Sequence, residues 1–281
     1  MPSELTIVAA RPRHGKTSFA CNLLLNWAKL YKSDPFIFFS YEVNRVQLFA
    51  KLVSLLTGRQ SNTNKKTGYD FRDVVKYFRE VKLKPNPDIE MALETLKQIE
   101  HQLFLVAEPS TTIDQLVAYT QTVKDKWGKV GAVIVDYIEL VKISEEKSEE
   151  LRIASIVNRL RIASQSLDTP IIALAQMNRA TVTGGGGGKQ IKKIDARRPV
   201  LEGLRYSGRQ EQEASTVLGL FNRYIESSDA CKEEDDQAKI EGSTTAAPLE
   251  VIVHKNRYGE SNKIIKMVFN MVTGNIEEER K

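Results

Sequence analysis

Residues 10–17 read Ala-Arg-Pro-Arg-His-Gly-Lys-Thr, which matches the phosphate-binding pattern GxxxxGK[ST] except that Ala10 replaces the first glycine. In such a loop the backbone of Ala10, Arg11, Pro12, Arg13, His14, Gly15, Lys16, Thr17 and Ser18 would cradle phosphates through its N–H groups and the following helix start. Lys16 would reach the β- and γ-phosphates, and Thr17 would ligate Mg²⁺. Taken alone, a Gly-Lys-Thr at a helix start can also arise by chance. Further chemistry follows other apolar runs. Glu42 comes after Pro35–Ser40 and could polarise a water from a neighbouring strand end, or simply favour the next helix through its dipole. Asp136 ends the run Val130–Val135 and could hold Mg²⁺, usually through water. Gln176 ends Ile171–Ala175 and could sense a γ-phosphate or be a polar strand end. Lys255 and Arg257 follow Glu250–His254 at alternate positions, so they share a side, as solvated edge charges or as groups reaching a phosphate in trans. Each has a dull reading. That five of the eight strand-length runs end in a residue phosphoryl transfer needs, in a workable order, makes joint coincidence much the weaker explanation.

These residues need a frame that lines up strand ends, because ligands in open α/β sheets bind at the carboxyl ends of the strands. Strand-length apolar runs occur at 5–10, 35–40, 103–106, 130–135, 170–175, 217–220, 250–254 and 264–268. Helical patterns lie between them at about 17–31, 44–56, 70–82, 87–100, 113–127 and 148–167. The alternation predicts one α/β domain over 1–281, with a mostly parallel central sheet flanked by helices. Gly184–Gly188 is a run of five glycines, and residues 180–209 are expected to form a mobile loop region. From Lys189 to Arg209 seven basic residues face two acidic ones, a local +5; from Glu226 to Glu241 seven acidic face two basic, a local −5. Two surfaces with different jobs would explain this, as would two solvated loops.

Composition removes several classes. Hydrophobic residues at 41% and charged residues at 27% are ordinary for a globular chain and exclude wholesale disorder. Cys21 and Cys231 stand far apart without CxxC spacing, which fits a reducing, cytoplasmic setting. His14, His101 and His254 have no zinc-ligand spacing, the apolar runs are too short to span a bilayer, and no export signal precedes Leu5–Ala10. The net charge of +5 is by itself a weak hint of nucleic-acid binding.

The chain resembles the RecA-like motor domain of DnaB-type replicative helicases. The resemblance rests on IVAARPRHGKTSFACNL (7–23), SYEVNRVQL (40–48), VGAVIVDYIELV (130–141), PIIALAQMNR (170–179), RRPVLEGLRYSG (197–208) with the following EQEA, and HKNRYGES (254–261). These segments stand in the family's order and run through nearly the whole chain. The resemblance implies a P-loop NTPase fold in hexameric rings, with ATP and Mg²⁺ hydrolysed at subunit interfaces to drive movement along single-stranded DNA during replication. It implies Lys16 and Thr17 on phosphate and metal, Glu42 as catalytic carboxylate, Asp136 beside Mg²⁺ and Gln176 as γ-phosphate sensor. Lys255 and Arg257 would be finger residues given to the neighbouring site. Arg205 and Gly208 would lie in a pore-lining DNA loop, with Lys192, Lys193 and Arg197 as further phosphate contacts. Primase or a helicase loader is an implied partner; a membrane is not.

There are departures. His14 stands where the family has a small or apolar residue and is expected only to tune the loop; Tyr206 stands where the family often has an acid. The family's N-terminal helical domain and linker helix have no counterpart in these residues, so the ring is expected to be weak. The reading is an ATP-dependent DNA helicase motor. Two alternatives are a RecA-like recombination or loading ATPase that does not unwind, and an assembly protein in which ATP is only interface glue.

Overall fold

The computed structural model describes residues 3–60, 68–80, 85–143, 148–177, 198–200, 212–225 and 246–279. The candidate DNA contacts Lys192, Lys193, Arg197, Arg205 and Gly208, the glycine run, and the acidic stretch all lie outside these residues.

Strand β1 (Leu5–Ala10) is buried on both faces because its apolar side chains alternate between two cores. Val8 and Ala10 face one core, with α1 (Lys16–Leu30), α2 (Arg45–Gln60), α3 (Phe71–Arg79) and α4 (Pro87–Ile99). Leu5, Ile7 and Ala9 face the other, with α5 (Ile113–Trp127) and α6 (Glu149–Ser166). Helix starts follow local chemistry. Asp70, Asn86, Thr112 and Ser148 each accept a hydrogen bond from a first-turn N–H, and Thr112 forms a capping box with Gln115.

The remaining strands are β2 (Phe36–Ser40), β3 (Leu103–Val106), β4 (Ala132–Asp136), β5 (Ile171–Gln176), β6 (Thr216–Asn222), β7 (Ala246–Asn256), β8 (Lys263–Asn270) and β9 (Ile276–Glu278). All nine described strands join one sheet in the order β3-β2-β4-β5-β1-β6-β7-β8-β9. Pairing is parallel from β3 to β6 and antiparallel from β6 to β9. The expected α/β sheet flanked by helices is present, parallel in five of its eight pairings and antiparallel in three, with two corrections of arrangement. Strand β2 is not next to β1, because β5 and β4 stand between them, so Glu42 is not at a neighbouring strand end. And β7 runs against β1, so its carboxyl end lies at the opposite edge of the sheet from the phosphate loop. Chain order shows neither fact, since parallel strands are joined by crossovers of any reach. Strand β9, three residues long, is too short for a periodic signal. Among the described residues no helix is long and apolar enough to cross a membrane.

One buried side chain ties the late strands to the first helix. Asn22 on α1 donates to the carbonyls of Ser18 and Gly274 at 2.8 and 2.9 Å. Its Oδ1 accepts from Arg59 and from the Ile276 N–H at 2.9 and 3.2 Å. Removing it strands buried polar partners, whose desolvation is then uncompensated. Asn22→Ala is expected to lower stability by about 2–4 kcal/mol in urea unfolding.

Candidate nucleotide site

Strand β1 ends in a turn whose backbone is shaped for anions. Arg13 has a φ of 70° and Gly15 a φ of 86°, both left-handed. Glycine suits this left-handed position because it has no Cβ, and the Phe269 ring packs against it at contact distance. Helix α1 opens directly from Gly15 with no side-chain cap and no acid in its first turn. Its first N–H groups have no intrahelical partner, and the positive end of its dipole faces the same space.

The turn borders a cleft of about 380 Å³, lined among others by Arg13, Gly15, Lys16, Thr17, Glu42 and Gln176. Lys16 donates to the carbonyl of Ala10 at 3.0 Å, and its ammonium lies 5.6 Å from the centre of the Tyr137 ring. Burial pulls the Lys16 pKa down, while Glu139, Asp136 and Glu42 oppose that pull. Gln176, the last residue of β5, is in register with Ala10. The structure thus brings Lys16, Thr17, Glu42 and Gln176 into one cleft, with Asp136 against Thr17.

Asp136 is fully buried, and the Thr17 hydroxyl donates to its Oδ2 at 2.8 Å. Its Oδ1 is buried with no hydrogen-bond partner. Burial pushes its carboxyl up to about 6; the Thr17 bond pulls it down, the Glu42 charge adds to the rise, and Lys16 and Lys51 oppose it. A hydroxyl and an underused carboxylate side by side fit Mg²⁺, which takes few protein ligands and shares the rest with water and phosphate. Among the described residues there is no cluster of three or more His, Cys, Asp or Glu that could hold a metal ion.

Other expected residues fall elsewhere. The His14 side chain turns away from the cleft: it is buried, accepts from the Asn222 N–H at 3.1 Å and sits 6.0 Å from the Phe221 ring. It therefore anchors the loop to β6, and only its backbone belongs to the cradle. Lys255 lies inside β7, opposite Val217, and donates to the carbonyl of Gln212 at 3.4 Å. Arg257 donates its N–H to the carbonyl of Ser215 at 2.9 Å and lines a separate pocket with Glu4, Arg161 and Gln212. Ser215 precedes Thr216, which is level with Thr6 near the start of β1. The length of β1, about 17 Å at 3.3 Å per residue, separates Arg257 from the phosphate loop of its own chain. Arg198, counted in the basic stretch, is engaged with buried Glu250 through contacts of 2.6 and 2.9 Å.

Sequence reasoning missed Lys51, Glu139, Tyr137 and Phe269. Lys51 reaches the cleft from α2, with its ammonium 4.4 Å from the centre of the Phe71 ring. Glu139 sits in a short 3₁₀ turn (Ile138–Leu140), buried, and accepts from the Gln176 N–H at 2.8 Å. Its position three residues after Asp136 was the available signal, since one such turn folds a side chain back toward the strand end. Phe269 comes from a strand almost at the end of the chain and carried no local signal.

A model of the DnaB-like helicase C-terminal domain family matches residues 1–278. The chain is 27% identical over 270 residues to the replicative DNA helicase DnaB of Haemophilus influenzae, covering 96% of this chain and 50% of that protein. It is 28% identical over 268 residues to the DnaB of Pasteurella multocida, covering 94% and 49%. The chain thus spans about half the length of the curated relatives it matches. Among solved structures it is similar to an ATPase domain, with a TM-score of 0.76 at 21% identity over 100% of this chain and 86% of the other. It is also similar to a DnaB-like replicative helicase studied for its interactions with primase, with a TM-score of 0.75 at 21% identity over 99% and 59%.

The burial of Asp136 has a measurable sign. A carboxyl raised from 3.8 to about 6 favours the folded state below pH 4 and loses that contribution as pH rises through 6. The difference corresponds to roughly 3 kcal/mol. Without nucleotide or metal, Asp136→Asn is therefore expected to stabilise the chain at pH 8 by up to about that amount, with the gain fading towards pH 4. Denaturation across pH checks it; a gain independent of pH would show that ionised Asp136 is not what is being relieved.

Proposed function

Since the chain belongs to the DnaB-like helicase C-terminal domain family, we propose that it is the ATP-hydrolysing motor of a replicative DNA helicase, working as a ring on single-stranded DNA. The observation that carries this reading is the split of the candidate machinery. Lys16, Thr17, Glu42 and Gln176 share one cleft with Asp136 beside it, whereas Arg257 stands at the far edge of the sheet. A finger that cannot reach its own nucleotide can serve a neighbour's.

In this reading the loop N–H groups and Lys16 bind the phosphates of ATP, and Thr17 with Asp136 holds Mg²⁺. A Mg²⁺ ion held by Thr17 and Asp136 would supply charge neutralisation to the polyphosphate. Glu42, exposed in the cleft, orients the attacking water and takes its proton. Gln176 contacts the γ-phosphate, and Lys51 adds a second cation on the same side. Arg257 of the neighbouring copy, supported by Lys255, stabilises charge on the transferring group. Such a site exists only at a subunit interface, so hydrolysis depends on assembly.

Lys192, Lys193, Arg197, Arg205 and Gly208 are proposed as the DNA contacts, giving salt-sensitive binding indifferent to sequence. Primase is a proposed partner, from the structural relative studied with it, and the cytoplasm is the proposed compartment. Duplex unwinding is tested on a forked substrate with ATP and Mg²⁺. ATPase activity without strand displacement would favour a recombination or loading role.

The divided site makes a sharper forecast. Lys16→Ala and Arg257→Ala are each expected to be nearly inactive, because an arginine finger contributes about 10³–10⁵ in rate. Mixed, some interfaces pair an intact loop with an intact finger, and activity should peak at an intermediate ratio. No recovery at any ratio, with mixed assembly demonstrated, would exclude Arg257 as a finger in trans. Alanine at Lys192, Lys193, Arg197 and Arg205 should flatten the salt dependence of single-strand binding by about 0.7 log unit per lost phosphate contact.

A further inference from the structure

The ladder between β4 and β5 ends at Val135 and Ala173, but β5 continues to Gln176 with only β1 beside it. Along a strand, successive N–H groups point to alternate neighbours. The Met177 N–H goes to the carbonyl of Ala10, on the β1 side. The Gln176 N–H therefore faces the side that β4 has already left. A half-buried amide there still favours an acceptor, and Glu139 supplies it, with Oε1 at 2.8 Å.

Glu139 is itself held from behind. Arg152 on α6 donates to the carbonyls of Glu139 and Val141, both at 2.7 Å, and is braced by Glu149 at 2.6 Å. The turn after β4 is thus pinned to α6, and its buried carboxylate reaches across to the end of β5.

We propose that Glu139 is a positioning residue for the hydrolytic reaction: by holding the last amide of β5 it sets the direction in which the Gln176 side chain enters the nucleotide cleft. The inference rests on Gln176 being the group that contacts the γ-phosphate. Through this one bond the metal-side strand end and the sensor strand end are fixed to each other, so a shift of one moves the other. What the role requires is an acceptor oxygen at the right reach. The negative charge beside Lys16 is a separate effect, and two substitutions divide them. Glu139→Gln keeps the reach and loses the charge; Glu139→Asp keeps the charge and withdraws the oxygen by one methylene.

Steady-state ATPase is measured for the full chain with single-stranded DNA, at a concentration where it assembles. Glu139→Asp is expected to lower kcat by on the order of 10- to 100-fold, the scale of a misplaced reacting group, with KM for ATP little changed. Glu139→Gln should recover most of that rate. Gln176→Ala should fall at least as far as Glu139→Asp, and the double variant no further than Gln176→Ala alone, since the two act as one unit. The reverse ranking, with Asp active and Gln inactive, would show that charge matters and overturn the proposal. So would losses that multiply in the double variant while Gln176→Ala alone is impaired; Gln176 would then keep its role without Glu139. If Gln176→Ala retains the wild-type rate, the sensor reading fails and the proposal with it. Thermal unfolding and the affinity for a non-hydrolysable ATP analogue are measured for each variant. A parallel fall in both for Glu139→Asp would indicate a structural role and count against the proposal.

Discussion

Strands β4, β5 and β1 lie side by side and are buried on both faces, so almost none of their length can carry an unpaired polar group. Polar chemistry is confined to where the strands stop. Because these strands are parallel, their carboxyl ends stop at the same edge, and Asp136, Gln176 and the phosphate loop meet there without any of them being near the others in sequence. Parallel pairing with double burial is the constraint on which the site depends. The helices α1, α2, α5 and α6 exist to satisfy it from either side.

The same burial sets the electrostatics. Asp136 is inside the protein, with one oxygen bonded to Thr17 and the other without a hydrogen-bond partner, and its affinity for a proton rises accordingly. Lys16 is pushed the other way. Each charge is held at a cost that a bound Mg²⁺ and polyphosphate would offset. The loop between them is held rigidly: His14 to β6, Ala10 to the residue after β5, and Gly15 beneath Phe269 of β8. An anion cradle made of backbone is only as well formed as the supports that fix its dihedrals, and here those supports come from distant parts of the chain.

The antiparallel half of the sheet does something different. Reversing β7 carries Lys255 and Arg257 to the edge away from the phosphate loop, where Arg257 is joined to Ser215 and sits beside Glu4. In the proposed reading, the Arg257 edge of one copy would meet the phosphate-loop edge of the next in a head-to-tail ring.

Much of this was legible in the residues. The Gly-Lys-Thr after an apolar run, the acids and amide at later strand ends, and the alternation of short apolar runs with amphipathic helices are local patterns, and local backbone chemistry decides them. The elements formed close to where those patterns placed them, apart from β9, which is too short to have a period. What the residues could not specify was adjacency. Whether β2 lies beside β1, which way β7 runs, and whether His14 faces the cleft or the core all depend on how whole strands and helices pack to bury their faces together. For the same reason Glu139, Lys51 and Phe269 escaped notice: each matters through a neighbour that only the folded sheet supplies. Sequence determined which side chains were available for phosphate chemistry. Packing decided which of them share a cleft, and left Arg257 outside it, because burial of a sheet is a cooperative property of the whole chain and not of any segment.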